Sequence, residues 1–157
     1  MSLINPVEIK VNVDGEVDDA LSILEKPEAQ LEKRQIWFCE DRLGVSQGKL
    51  TLLDGGVIIR FRSGERADEL TLKLRPCDEA QLVGTWSKSF KKDSFEYRIE
   101  GDWSGNRRVM AASAVSSRPP GSLLDAVAPD LDAALAFDHN QRMFFADCAR
   151  PGVQAIV

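Results

Sequence analysis

The sequence predicts an α+β fold that is mainly β: an antiparallel β-barrel of about eight strands with flanking helices. Three observations carry this reading. Several runs alternate apolar and polar residues at period two, turn signals containing Gly separate them, and the polar members of successive runs are charged. One domain spanning residues 1–157 is expected, because a chain of this length buries about 68–70% of its unfolded surface around a single core.

Composition narrows the classes of function. With 43% hydrophobic and 29% charged residues, the chain has enough apolar surface to fold and no run of apolar residues long enough to span a bilayer. The start, Met1-Ser2-Leu3-Ile4-Asn5-Pro6, carries neither a basic region nor an apolar stretch of the secretory kind, and Cys39, Cys77 and Cys148 are too few and too far apart for a disulfide framework. A cytoplasmic location with reduced thiols is the expectation. A net charge of −5 gives no global attraction to nucleic acid or to anionic membranes, so neither is expected as a partner. Any anion must be captured locally.

The elements follow in order. Val7, Ile9, Val11 and Val13 alternate with Glu8, Lys10 and Asn12 as a half-buried strand does, and Asp14-Gly15 turns the chain. Val17, Ala20, Leu21 and Leu24 recur at helical spacing until Pro27, and a second short helix is expected over 28–33. Residues 35–39 are rich in aromatic and β-branched side chains and read as a strand. Residues 49–53 and 57–64, separated by Asp54-Gly55-Gly56, read as a hairpin, followed by a strand over 69–75 that ends at Pro76. A second hairpin is expected from 95–103 and 107–116 around Ser104-Gly105-Asn106, then a helical region over 122–148 and a last strand over 152–157.

One face of these strands is unusually charged. It carries Glu8 and Lys10, then Arg60 and Arg62, then Thr71, Lys73 and Arg75, then Glu96, Arg98, Glu100 and Asp102, while Ile9, Ile59, Phe61, Leu70, Leu72, Leu74, Phe95, Tyr97 and Ile99 occupy the other. Two readings stand side by side. A solvated sheet face with cross-strand ion pairs worth little is the common case. Alternatively, a closed barrel carries polar residues inside, and a lumen lined by Arg and Lys takes a chain of phosphates as its guest. On that second reading Glu8, Glu96 and Glu100 serve a hard divalent cation, which takes one or two carboxylates together with phosphate oxygens.

Val7-Glu8-Ile9-Lys10, Gln35-Ile36-Trp37-Phe38-Cys39-Glu40-Asp41, Val57-Ile58-Ile59-Arg60-Phe61-Arg62 and Leu70-Thr71-Leu72-Lys73, in this order, resemble the opening half of CYTH-like domains, the triphosphate tunnel metalloenzymes that include class IV adenylate cyclases and thiamine triphosphatases. The resemblance implies an eight-stranded tunnel that binds and hydrolyses inorganic tripolyphosphate, thiamine triphosphate or a nucleoside triphosphate with Mg²⁺ or Mn²⁺. It implies Lys10, Arg62 and Lys73 as catalytic residues, Arg60, Arg75 and Arg98 beside them as substrate-binding residues, and Glu8, Glu96 and Glu100 as metal ligands. Pro6 stands where the family's Glu-x-Glu-x-Lys signature has its first glutamate, and a final acidic strand is expected to be lacking. A catalytically degenerate module that binds phosphate or polyphosphate is therefore the alternative, and a face that docks a protein is the third. The expected partner is a small-molecule triphosphate or polyphosphate, with a homodimer left open. Lys73→Ala and Arg62→Ala are expected to abolish tripolyphosphate binding and to leave the melting temperature nearly unchanged.

Other residues read as structural. His139 reads as a surface helical histidine, Asp130, Asp132 and Asp138 as solvated, and Cys39 and Cys77 as packing residues. Trp86 and Trp103 are either core residues or stacking platforms at a tunnel mouth, and residues 116–121 read as a loop.

Overall fold

The computed structural model describes residues 6–10, 15, 17–23, 34–127 and 132–154. Seven strands form one sheet: β1 Val7–Lys10, β2 Arg34–Cys39, β3 Val57–Gly64, β4 Asp68–Leu74, β5 Phe90–Lys92, β6 Phe95–Ser104 and β7 Arg107–Arg118. The helices are α1 Val17–Ile23, α2 Arg42–Ser46, α3 Thr51–Asp54, α4 His139–Cys148 and α5 Pro151–Gln154. Short 3-10 turns occur at Glu79–Gln81, Gly84–Ser87, Asp125–Val127 and Ala133–Ala136.

The sheet runs β1-β6-β7-β4-β3-β2. The ten-residue β6 shares its outer edge between β5, which pairs with its first three residues, and β1, which pairs with its last four. This corrects the expected closed barrel: among the described residues no pairing joins β1 or β5 to β2, so the sheet is open and has seven strands rather than about eight. The pairing of β1 with β6 is parallel, again unlike an all-antiparallel barrel. A hairpin forces antiparallel pairing, but no hairpin links these two strands, so their direction is free.

Further corrections are local. Residues 49–53 do not form a strand; Thr51–Asp54 is helical because the Glu40 carboxylate accepts the amides of Leu52 at 2.5 Å and Leu53 at 3.1 Å, capping the turn. At the chain end Pro151 opens α5, where its missing N–H costs nothing, in place of the start of a strand; residues 155–157 lie outside the described residues. The helical region over 122–148 resolves into two 3-10 turns and α4. The expected helix over 28–33, the far half of the first strand and the Asp14 cap lie outside the described residues. The strands expected over 35–39, 57–64, 69–75, 95–103 and 107–116 are all present.

The apolar face of the sheet carries Val57, Ile59, Phe61, Leu70, Leu72, Leu74, Phe95, Tyr97 and Ile99, all buried, and Ala112 and Ala114 on β7 are small enough for α4 to approach. Phe144 and Phe145 of α4 pack there with Leu82, Leu123 and Phe137. Trp86 meets Phe90, Phe95, Tyr97 and Phe144 at ring separations of 5.2–6.5 Å, donates its indole N–H to Asp147 at 2.9 Å, and accepts the Tyr97 hydroxyl on its carbonyl at 2.7 Å. It is a core residue. Asp138 caps α4 in a reciprocal box with Gln141, whose buried side-chain amide donates to the carbonyls of Leu70 at 2.9 Å and Ala114 at 3.1 Å. Those bonds pin the helix to the two central strands, whose apolar side chains it helps to bury.

Candidate functional site

Register fixes what faces what on the charged side. On β4, Thr71 lies opposite Arg60 of β3 and Val115 of β7, and Lys73 lies opposite Ile58 and Ser113. On β6, Arg98 lies opposite Ser113, Glu100 opposite Ala111, and Asp102 opposite Glu8 of β1. The middle strand β7 therefore contributes the short side chains Ala111, Ser113 and Val115, with long charged ones on both flanks. The result is a trough whose low floor is buried beneath the charged side chains of its flanks, Lys73 reaching across β7 to β6.

At the β6 wall the charges close on one another. Lys73 Nζ lies 3.0 Å from Glu100, 3.1 Å from Asp102 and 3.9 Å from Glu8, and Arg75 reaches the same Asp102 oxygen at 3.1 Å. Lys73 and Glu8 are three strand positions apart, roughly 14 Å along a flat sheet at about 4.8 Å per strand, so their contact measures how low the floor is and how the face curls. Lys73 is only 8% exposed and Asp102 only 3%. An ion pair that dry is costly to break from one side, because the partner is left as an uncompensated buried charge.

At the β3 wall the charges are left open. Arg60 reaches Thr71 Oγ1 at 3.4 Å, and Arg62 reaches Glu69 at 3.5 Å while Arg34 holds the same Glu69 oxygen at 2.8 Å. Burial lowers the Arg60 guanidinium to about 10, Arg62 and Arg98 deepen the effect, and Glu69 and Glu8 oppose it. The Nε atoms of Arg60, Arg62 and Arg75 are buried with no hydrogen-bond partner. A buried donor left unmade costs about 1–3 kcal/mol, so the hydrogen-bonding capacity of these three guanidinium groups is not exhausted within the protein.

The residues implied as binding or catalytic thus share one face: Arg60, Arg62, Lys73 and Arg98 lie on it by register, and Arg75, just past the end of β4, reaches Asp102 there. Lys10 is placed in β1 opposite Ser104, and its side chain lies outside the described residues. Arg98 is exposed and pairs with Glu96 at 3.5 Å. The three implied metal ligands are not brought together. Glu100 and Glu8 meet at Lys73, whereas Glu96 stands four residues away on β6, about 13 Å along the strand. Among the described residues no group of three His, Cys, Asp or Glu is arranged to hold a metal. The Lys73 ammonium takes the point between Glu8, Glu100 and Asp102 where a cation would be held, so these residues do not fit a resident divalent ion as they stand.

Three contributors were not singled out as site residues from sequence. Asp102 belongs to the charged run but its role as the hub of two cations depends on burial, Glu69 shows its role only through the β2–β3–β4 register, and Arg34 enters through the same register. The small residues of β7 were the available signal. Alternate positions Ala111, Ser113 and Val115 inside a strand whose neighbours are long and charged mark a floor.

The discounted residues behave structurally. His139 is exposed at the start of α4, Asp132 accepts the Ala134 amide at 2.9 Å, and Asp138 caps α4. Burial pushes the thiols of Cys39 and Cys77 up to about 11, which leaves them protonated at neutral pH. Trp103 lies under Arg108, with the guanidinium 4.7 Å from its ring, on the opposite face from the trough, so it offers no platform to a guest there. No helix among the described residues is long and apolar enough to cross a membrane. No family model, no curated protein and no solved structure matches the chain.

Proposed function

We propose that the trough binds a linear polyphosphate or the triphosphate moiety of a small molecule, as the resemblance to CYTH-like domains implies. The observation that carries this reading is the row of three half-buried guanidinium groups on Arg60, Arg62 and Arg75, each with a buried Nε donor that has no hydrogen-bond partner. Arg62 lies across from Glu69, which precedes Arg75 on the chain by six residues, so the donors are spread over about 20 Å of strand. A guest that satisfies them has to be elongated, anionic and rich in acceptors. A phosphate chain has all three properties, and guanidinium forks match its oxygens.

Binding has more support than hydrolysis. Metal-dependent turnover with Mg²⁺ or Mn²⁺ needs carboxylates free to ligate, and Glu100 and Asp102 are committed to Lys73 and Arg75. The catalytically degenerate binding module is accordingly the favoured form of the proposal, with a triphosphatase as the second. Binding and phosphate release measured on tripolyphosphate, ATP and thiamine triphosphate, with and without Mg²⁺ or Mn²⁺, separate the two. Binding without release is expected. Steady phosphate release that disappears on chelation selects the enzyme, and no rise in melting temperature with any of the three compounds rejects both in favour of a protein-docking face.

A further inference from the structure

We infer that β2 is the surface through which two copies of this chain associate, by antiparallel pairing of β2 with β2 about a two-fold axis at Trp37. Among the described residues β3 is the only strand that pairs with β2, so its other edge presents ladder amides and carbonyls without a strand partner. Edge strands are ordinarily blunted by Lys, Pro or a bulge, and Arg34-Gln35-Ile36-Trp37-Phe38-Cys39 has none of these in its interior. Its outward side chains are apolar instead. Phe38 is 68% exposed and Ile36 49% exposed, both on the side that carries Arg60 and Arg62.

The occupant follows from the self-complementarity of the strand. With Trp37 opposite Trp37 of the second copy, Ile36 falls opposite Phe38, Gln35 opposite Cys39, and Arg34 opposite Glu40. The register therefore joins an exposed apolar cross-strand pair on each side of the axis, a pattern that stabilises antiparallel neighbours. A parallel register or a one-residue slip loses these matches, because a slip moves every side chain to the other face. A six-residue ladder buries less than the roughly 1,000 Å² of a stable interface, so the association is a monomer–dimer equilibrium set by concentration. It is independent of what the trough binds.

Sedimentation equilibrium of the full chain, without ligand, tests the inference. Mass should rise towards a dimer with increasing concentration, and Phe38→Lys, an exposed position whose substitution leaves the core untouched, should remain monomeric across the same range. Disulfide trapping then tests the register. In a Cys39→Ala background, an equimolar mixture of Ile36→Cys and Phe38→Cys should cross-link in preference to either variant alone, because directly opposed residues sit within the Cα separation that a disulfide needs. A wild-type chain that stays monomeric up to about 1 mM overturns the proposal and leaves the edge to another partner or to the chain itself. A Phe38→Lys dimer, or single variants that cross-link as fast as the mixture, overturns it equally.

Discussion

At the β6 wall of the trough, Lys73 and Arg75 are closed by Glu100, Asp102 and Glu8, whereas at the β3 wall Arg60 and Arg62 meet only Thr71 and a Glu69 already held by Arg34. The two walls use the same residue types on paired strands of one sheet. What differs is whether the counter-charge comes from the protein. Where it does, as around the buried Asp102, the cations are part of the fold, Arg75 keeping only its Nε unpaired; where it does not, they are available to a guest. Substitutions should therefore sort by wall, with stability lost at one and affinity lost at the other.

The largest effect is expected at Asp102. Replacing it by Ala leaves Arg75 unpaired and Lys73 with Glu100 and the more distant Glu8, and breaking a buried pair from one side costs about 3–5 kcal/mol, measured as a shift in the urea midpoint. Lys73→Met should fall close behind, since it leaves Glu100 without its short ion pair and Asp102 with Arg75 alone. This revises the expectation that removing the lysine leaves the melting temperature unchanged. A Lys73 variant as stable as the parent would show that the β6 wall is no tighter than a surface ion pair, worth about 0–1 kcal/mol.

At the other wall the order reverses. Arg62→Ala should change stability by no more than about 0.5 kcal/mol, as expected of a partly exposed side chain whose one ion pair is long. It should weaken tripolyphosphate binding about tenfold or more, equivalent to about 1.4 kcal/mol, read by calorimetry. Rising salt should weaken that binding steadily in the parent, because the partners are charged and Arg62 is partly exposed to solvent.

A smaller effect concerns neither wall but the underside of β4. Burial pushes the Asp68 carboxyl up, yet hydrogen bonding, led by the Leu123 amide at 2.9 Å, holds it below its ordinary value. A carboxyl whose pKa is depressed by folding stabilises the protein fully above its unfolded pKa of about 3.9, and the contribution disappears as pH falls through the lower folded value. Asp68→Asn should therefore flatten the acid limb of the stability curve below about pH 4 and leave neutral-pH binding intact.

The sequence made the alternation legible and left the closure hidden. Strands β3, β4, β6 and β7 follow from period-two patterning because each has one apolar face to bury and a turn signal to mark its end, Pro76 for β4 and a Gly-bearing turn for the others. Residues 49–53 failed for a physical reason: Leu50, Leu52 and Leu53 fit a strand as well as a helix, and the decision came from a capping carboxylate at Glu40, ten or more residues earlier in the chain. The parallel direction of β1 was invisible because no turn constrains it. In the site, the cations were visible one by one, but which of them are satisfied depends on cross-strand register and burial. Period two says which face a residue takes and nothing about which neighbour it meets.

The most direct test is calorimetric titration of tripolyphosphate, without divalent metal, into the parent chain and into Arg60→Ala/Arg62→Ala, with urea unfolding of both proteins in the same buffer. Micromolar binding by the parent, none by the variant, and coincident unfolding midpoints are predicted. Equal affinity in the two proteins, or no binding by the parent, would contradict the account.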